Sequence, residues 1–315
     1  MAKEIGGYLE LEHFNSKEYY PDLLALNSAR NAFLYLLKAK KIKKVYIPYF
    51  LCDSVYLVCE QHGFEYDFYS INRDFTPNFS VKLGPDEYLY VVNFFGQLSD
   101  ECLTELKNKH KNIIIDNVHA FFRKPLKNID TLYCCRKFLG VPDGAYLSTD
   151  SILSEPLEID KSKDRMIHLL GRFEESASGY YNVFQENENA FENLPLRRMS
   201  KLTHNFLCAI DYDSVIKARN RNFTVLQDLL SDKNTLVPHC DNGAFCYPFY
   251  HKDGMAIKRE LAKKSIFIPT LWPNATELKG TLESDYAENI LPLPVDQRYN
   301  ADDMEYLAKE VLKYV

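Results

Sequence analysis

Two apolar runs in the stretch from Asn112 to Gly144, NIIIDNVHAFFRKPLKNIDTLYCCRKFLGVPDG, lead to groups that can do chemistry. Asp116 closes Ile113-Ile114-Ile115, and Lys137 follows the run from Ile129 to Cys135. Such runs read as strands buried on both faces of a parallel sheet. Open α/β sheets bind ligands outside the carboxyl ends of their strands, so the carboxylate and the amine are expected at one ligand edge. Pyridoxal phosphate (PLP) suits that pair, with the lysine forming a Schiff base and the aspartate facing the pyridine nitrogen. The lysine reacts only when unprotonated, a state that the adjacent charge of Arg136 favours. A buried carboxylate is costly when unpaired, and a protonated ring nitrogen would pair with Asp116. His119, three residues further on, is placed to hydrogen-bond the ring hydroxyl. Plainer alternatives are a solvated loop lysine, an aspartate capping its own turn, and a core histidine.

The phosphate needs donors, and the start of a helix supplies free amides and a favourable dipole. Ser28, Ala29 and Arg30 occupy such a start, since Asn27-Ser28 reads as a cap before Ala29, Ala32, Phe33, Leu36 and Leu37 at helical spacing. The same residues also make an ordinary capped helix. No GxGxxG or GxxxxGK[ST] cradle and no GxSxG elbow occurs.

The elements that must position these groups alternate. Strands are expected at Val45 to Pro48, Phe64 to Ile71, Tyr88 to Asn93, Ile113 to Asp116 and Thr131 to Cys135, with helices after Ser28, from about Asp53 and from Ser99. That alternation implies a mainly parallel sheet with helices on both faces. Beyond Leu147 the texture turns polar and helical, and EESASGYYNVFQENENAFENLP reads as an excursion or subunit contact. A helix from Tyr212 to Leu230 follows. The end of the chain reads as a smaller α/β unit: strands Phe245 to Phe249, Ile266 to Ile268 and Ile290 to Pro294, with helices Met255 to Lys263 and Ala301 to Tyr314. The expected domains are residues 1–233, the large cofactor-binding domain with its excursion, and 234–315.

The 315 residues, 46% of them hydrophobic, can fill two such cores. A net charge of −6 and the lack of a basic tract argue against a nucleic-acid binder. MAKEIGGYLELE lacks the pattern of a secretory signal, and no apolar run reaches the length of a membrane span, so a cytoplasmic protein is expected. The eight cysteines contain no CxxC pair and read as reduced. His239, Cys240, Cys246 and His251 have the types of a zinc site, but a strand over Ala244 to Tyr250 would scatter them, and no metal is expected.

In order, the chain carries Asn27-Ser28-Ala29-Arg30, Ile47-Pro48-Tyr49-Phe50-Leu51-Cys52, Asn93-Phe94-Phe95-Gly96-Gln97, Asp116-Asn117-Val118-His119 and Arg136-Lys137-Phe138 through Pro142-Asp143-Gly144. With these blocks it resembles the DegT/DnrJ/EryC1/StrS family of PLP-dependent sugar aminotransferases. Arg198-Met199-Ser200, the Arg219 to Leu230 helix, Leu271-Trp272-Pro273 and Leu291-Pro292-Leu293-Pro294 extend the resemblance over nearly the whole chain. It implies fold type I, aspartate-aminotransferase-like: a mainly parallel central sheet with a smaller C-terminal α/β domain. It also implies a homodimer with shared sites, and amino transfer from an amino acid such as glutamate to a nucleotide-linked keto sugar. Lys137 falls on the Schiff-base lysine, Asp116 on the pyridine partner, His119 near the ring oxygen, and Ser28 with Ala29 on the phosphate turn.

Three departures stand out. Cys134 replaces a serine that many relatives use for phosphate, which shifts the grip toward Arg30. Cys52 falls where an aromatic ring covers the cofactor in larger members, leaving Phe50, Tyr49 or Phe94 to stack. Leu196-Arg197 precede Arg198-Met199 where some relatives carry a trans-acting asparagine, so an arginine is expected to reach across. Two other activities fit the same fold: keto-sugar dehydration, in which histidine typically replaces the lysine retained here, and a non-catalytic binding or regulatory role.

Overall fold

The computed structural model describes residues 5–315. Its first unit runs β1 (Leu24–Leu26), α1 (Ala29–Ala39), β2 (Lys44–Pro48), α2 (Asp53–His62), β3 (Glu65–Ile71), β4 (Pro77–Asn78), β5 (Glu87–Val92), α3 (Asp100–His110), β6 (Ile113–Asp116), β7 (Asp130–Cys134) and β8 (Ala145–Ser148). These strands form one sheet in the order β1-β8-β7-β6-β5-β2-β3-β4. Pairing is parallel from β3 through β2, β5 and β6 to β7. It is antiparallel where β8 inserts between β7 and β1, and where β4 joins β3. The order turns back between β2 and β5, which opens a crevice at the carboxyl ends of the strands.

The alternation of side chains across the pleat builds a core on each face of the sheet. Leu132 of β7, with Ala145 and Leu147 of β8, joins the larger core around α1 and α2. Tyr133, Cys135 and Tyr146 turn the other way, into a core with Tyr20, Phe121 and Phe138. Every residue of β6 is buried, because the strand is covered on both faces and paired on both edges. That leaves its last side chain, Asp116, out of water.

After β8 come α4 (Ile167–Glu174), α5 (Tyr181–Ala190), α6 (Lys201–Leu207) and α7 (Tyr212–Leu230). The C-terminal part contains β9 (Cys246–Tyr250), α8 (Gly254–Ala262), α9 (Leu282–Asn289), β10 (Ile290–Pro294) and α10 (Ala301–Leu312). β9 and β10 form an antiparallel pair in which Pro248 lies opposite Pro292. A two-stranded sheet tolerates this because each strand has a free edge.

The strand expected over Ile266–Ile268 does not form. Ser265 takes a left-handed turn (φ 60°) after α8, and the following residues join no ladder while Ile268 packs into the small core. That core also takes Phe223, Leu226 and Leu230 from α7, so it reaches upstream of residue 234. Conversely, Trp272, Ala275, Tyr286 and Ile290 pack into the large core.

Candidate active site

Asp116 stands at the carboxyl end of β6, 4% exposed. Its Oδ2 accepts the hydroxyl of Tyr90 at 2.7 Å, and its Oδ1 accepts the amide of Val118 at 2.9 Å. The second bond is the local turn cap anticipated for an aspartate here, and the first comes from the neighbouring strand β5. Burial pushes the Asp116 carboxyl up to about 6, while the two hydrogen bonds and the charge of Lys137 pull it down.

His119 follows in the loop after β6, 3% exposed. Its ring lies nearly parallel to Phe245, with centroids 3.9 Å apart at 11°, and also packs on Trp272 at 5.5 Å. Its Nδ1 is buried without a hydrogen-bond partner. Burial, and secondarily the charge of Lys137, hold its pKa well below the usual histidine value, so the ring is neutral. Lys137 thus acts electrostatically on both Asp116 and His119.

Lys137 ends a short 3-10 turn, Cys135–Lys137, and is exposed. The loop that carries it is fixed on both sides. The Phe138 carbonyl accepts from Arg219 at 3.0 Å and from Gln297 at 2.9 Å, and the Arg219 guanidinium lies 4.6 Å from the Phe138 ring centre. Gly144, at φ 115°, donates its amide to the Asn27 carbonyl at 3.0 Å. A Cβ at this glycine would come within 3.1 to 3.2 Å of Met199, Thr203 and Cys135. The lysine loop is therefore tied to the start of α1.

At that start, Ser28 caps α1, its Oγ accepting the Asn31 amide at 3.1 Å. Asn27 donates to Asp160 and Pro195, each at 3.0 Å. Arg30 has a buried, unpartnered Nε. Cys134, 8% exposed, ends β7. Arg136 belongs to the same neighbourhood: its pKa is lowered to about 10, chiefly by burial and also by the charges of Arg30 and Arg165, against Cys134 and Asp143.

The three aromatic candidates are distributed differently, with Phe94 1% exposed and packed on Trp272. Phe50 is 1% exposed, packed on Trp272 and Phe94. Tyr49 stacks on Phe68 at 4.9 Å, out at the surface. Cys52 is the N-cap of α2 and accepts the Ser54 hydroxyl at 3.1 Å. Arg197 and Arg198 are engaged within their own chain, Arg197 with Glu158 at 3.1 Å and Arg198 with the Ala25 carbonyl at 3.1 Å. Among the described residues, no three His, Cys, Asp or Glu side chains are grouped as a metal site.

Sequence reasoning missed Tyr90, Arg219 and the grouping of Arg30, Arg136 and Arg165. Tyr90 offered one signal, a hydroxyl within the otherwise apolar end of β5. The arginines offered none, being widely spaced in the chain. A cleft of about 450 Å³ adjoins the site at His119 and is walled further by Phe95, Phe122, Arg123, His239 and Asn242. Its size suits a small organic ligand.

No protein-family model matches this sequence, and no curated protein does. Solved structures do match. A DegT DnrJ EryC1 StrS aminotransferase from Brucella abortus superposes with a TM-score of 0.63 at 15% identity, over 93% of this chain and 85% of its own. DesI, solved in the presence of its TDP-sugar product, gives 0.64 at 15% identity, over 91% of this chain and 79% of its own. Spr1654 from Streptococcus pneumoniae, described as a sugar aminotransferase and solved in its PLP form, gives 0.64 at 13% identity, over 94% and 88%. The chain has the sugar-aminotransferase fold. In that fold, Asp116, His119 and Lys137 meet at the carboxyl edge of the central strands. No helix of the described residues is long and apolar enough to cross a membrane.

Proposed function

We propose that this protein is a PLP-dependent aminotransferase that moves an amino group from an amino acid, glutamate by analogy, to a nucleotide-linked keto sugar. One observation carries the reading: Lys137 places its charge on both Asp116 and His119, at the ends of adjacent parallel strands of this fold. The TDP-sugar product of DesI and the PLP form of Spr1654 support the substrate and the cofactor by analogy.

The residues present fit PLP. Asp116 is a buried carboxylate with hydrogen-bonding capacity to spare, the Nδ1 of His119 has no partner, and α1 opens with Ser28, Ala29 and Arg30. When bound, the cofactor supplies an electron sink for the donor's α-carbon. Asp116, steadied by Tyr90 and Val118, holds a proton on the ring nitrogen. His119 Nδ1 hydrogen-bonds the ring hydroxyl. Ser28 Oγ, the amides of Ala29 and Arg30 and the Arg30 side chain hold the phosphate, with Cys134 beside them. Phe50 and Cys52 shape the crevice between β2 and β5. Lys137 Nζ would hold the cofactor and, when free and unprotonated, would act as the base at the donor α-carbon.

The working form is a homodimer with shared sites. Ile167, Leu170, Phe173, Tyr181 and Phe184 support this, forming an exposed apolar set on α4 and α5, with Phe173 90% exposed. Eight free cysteines fit a cytoplasmic setting.

The test is the absorbance spectrum of the protein supplied with cofactor. A visible or near-ultraviolet band that borohydride abolishes is expected, bleaching with glutamate and absent in Lys137→Ala. Protein that stays colourless rejects the reading, and a band indifferent to amino donors rejects amino transfer.

A further inference from the structure

Three guanidinium groups gather beside the start of α1, and their hydrogen-bond donors outnumber their acceptors. Arg136 and Arg165 lie on the same aromatic ring, that of Phe191, at 3.8 and 5.5 Å from its centre. Arg165 is neutralised by Asp160 at 2.7 Å, and Arg136 is paired with Glu188 of α5. Arg30 makes no ion pair among the described residues, and its charge is felt by Arg136. Three donor atoms in this region are buried without a partner, Nε of Arg30, Nε of Arg165 and Nδ2 of Asn187, and Nδ1 of His168 is buried without one as well. Asn187 is 8% exposed and adjoins Glu188 on α5, while His168 is close enough for the charge of Arg136 to add to burial in lowering its pKa.

Buried donors without acceptors beside a cation without a counter-ion call for an anion with several oxygens. The first amides of α1 face the same neighbourhood and favour the same charge. Glu188 is a weak occupant for such a site: its side chain is 36% exposed, and it brings one charge to Arg136 alone. A phosphate monoester brings nearly two charges and three acceptor oxygens.

We propose that Arg136 is a ligand of the cofactor phosphate, acting with Arg30 at the start of α1, and that Glu188 is the internal anion which this phosphate displaces. The inference rests on the PLP reading above and deepens it. It also explains how Cys134, a poor donor, can stand where a phosphate-binding hydroxyl is otherwise useful: the guanidinium of the next residue but one supplies the grip. Because Glu188 lies on α5, the exchange links cofactor occupancy to the excursion that bears the exposed apolar face.

The experiment compares PLP with pyridoxal, which has the same ring and aldehyde but no phosphate. Affinity is read from the Lys137-dependent absorbance band. Arg136→Met is expected to lower the preference for PLP over pyridoxal by about tenfold or more, as loss of a charge-assisted bidentate contact would. Arg136→Lys falls in between, and Glu188→Gln raises the preference several-fold. Taking the ratio cancels any effect of Arg136 on the reactivity of Lys137, and a retained pyridoxal band reports an intact fold. An unchanged ratio in Arg136→Met, or a lower one in Glu188→Gln, overturns the assignment. Should the wild type react with neither aldehyde, the cofactor reading fails on its own. Inorganic phosphate then probes the anion site: thermal stabilisation lost in Arg136→Met supports the Arg136 contact, and stabilisation that survives the substitution overturns it.

Discussion

The hydroxyl of Tyr90 reaches across from β5 to the Asp116 carboxylate on β6, at 2.7 Å, and both groups are buried. This bond opposes the burial that pushes the aspartate up, and so it helps to keep Asp116 ionised near neutral pH. In the proposed function it is the main-sheet contact that would prepare the carboxylate for a cationic ring nitrogen.

Tyr90→Phe should therefore raise the Asp116 pKa further. A hydrogen bond to a charged acceptor contributes roughly 1.5 to 3 kcal/mol, which corresponds to a rise of about one to two pH units. The acid limb of the cofactor band, followed by absorbance titration, is expected to move upward by that amount. A limb that stays in place would show that Tyr90 does not tune the carboxylate.

Asp116 itself should leave a signature on stability. Its folded pKa, about 6, is above the usual 3.8. Between about pH 4 and 6 the folded chain then binds more protons than the unfolded one, and stability falls as pH rises through that window, by roughly 3 kcal/mol in all. Asp116→Asn removes this loss, so its advantage over the cofactor-free wild type in urea midpoint should grow from pH 4 to 7 and then level off. His119 works in the opposite sense, because its lowered pKa makes stability fall as pH drops below the ordinary histidine value. Both proteins carry His119, so the comparison isolates Asp116. A gap that is constant across this range contradicts the burial argument.

Arg219 is expected to act as a positioning residue for the lysine loop. It is 2% exposed and donates to Phe138, Ala244 and Gln297. Arg219→Met should cost about 3 kcal/mol, measured by urea denaturation, since it strips a buried charged donor from several acceptors at once. Gln297→Ala, which leaves Arg219 on the Phe138 carbonyl, should cost only about 1 kcal/mol. Faster amide exchange at residues 137–139 in both variants would tie the loss to this loop; exchange confined to α7 would place the role of Arg219 elsewhere.

Phe173 tests the subunit contact. Phe173→Asp adds a charge to a side chain that is 90% exposed, and it should leave the fold within about 0.5 kcal/mol of the wild type. Sedimentation is expected to show a dimer for the wild type and a monomer for the variant. A dimer that persists would exclude the α4 face as the interface.

By itself, the sequence determined the elements whose signals are local. Ile113 to Asp116 reads as a buried strand because four residues carry the pattern, and α1 begins at Ser28 because a cap needs only its own next turn. Asp116, His119 and Lys137 were legible because each follows such an element closely. The short strand β8 was not, since its antiparallel insertion beside β7 depends also on β1, more than a hundred residues upstream. Ile266 to Ile268 misled for a related reason: Ile266 and Ile268 pack against the small core while Phe267 stays exposed, and no neighbouring strand pairs with them.

Only the tertiary structure decided what surrounds the three site residues. Tyr90 meets Asp116 through the register of β5 on β6, Arg219 reaches the lysine loop from a helix 81 residues downstream, and Arg30, Arg136 and Arg165 converge from three separate elements. A residue's type and spacing show what chemistry it can do. Its pKa and its partners follow from burial and from charges brought close by the fold, and those distances are not written in any local stretch of chain.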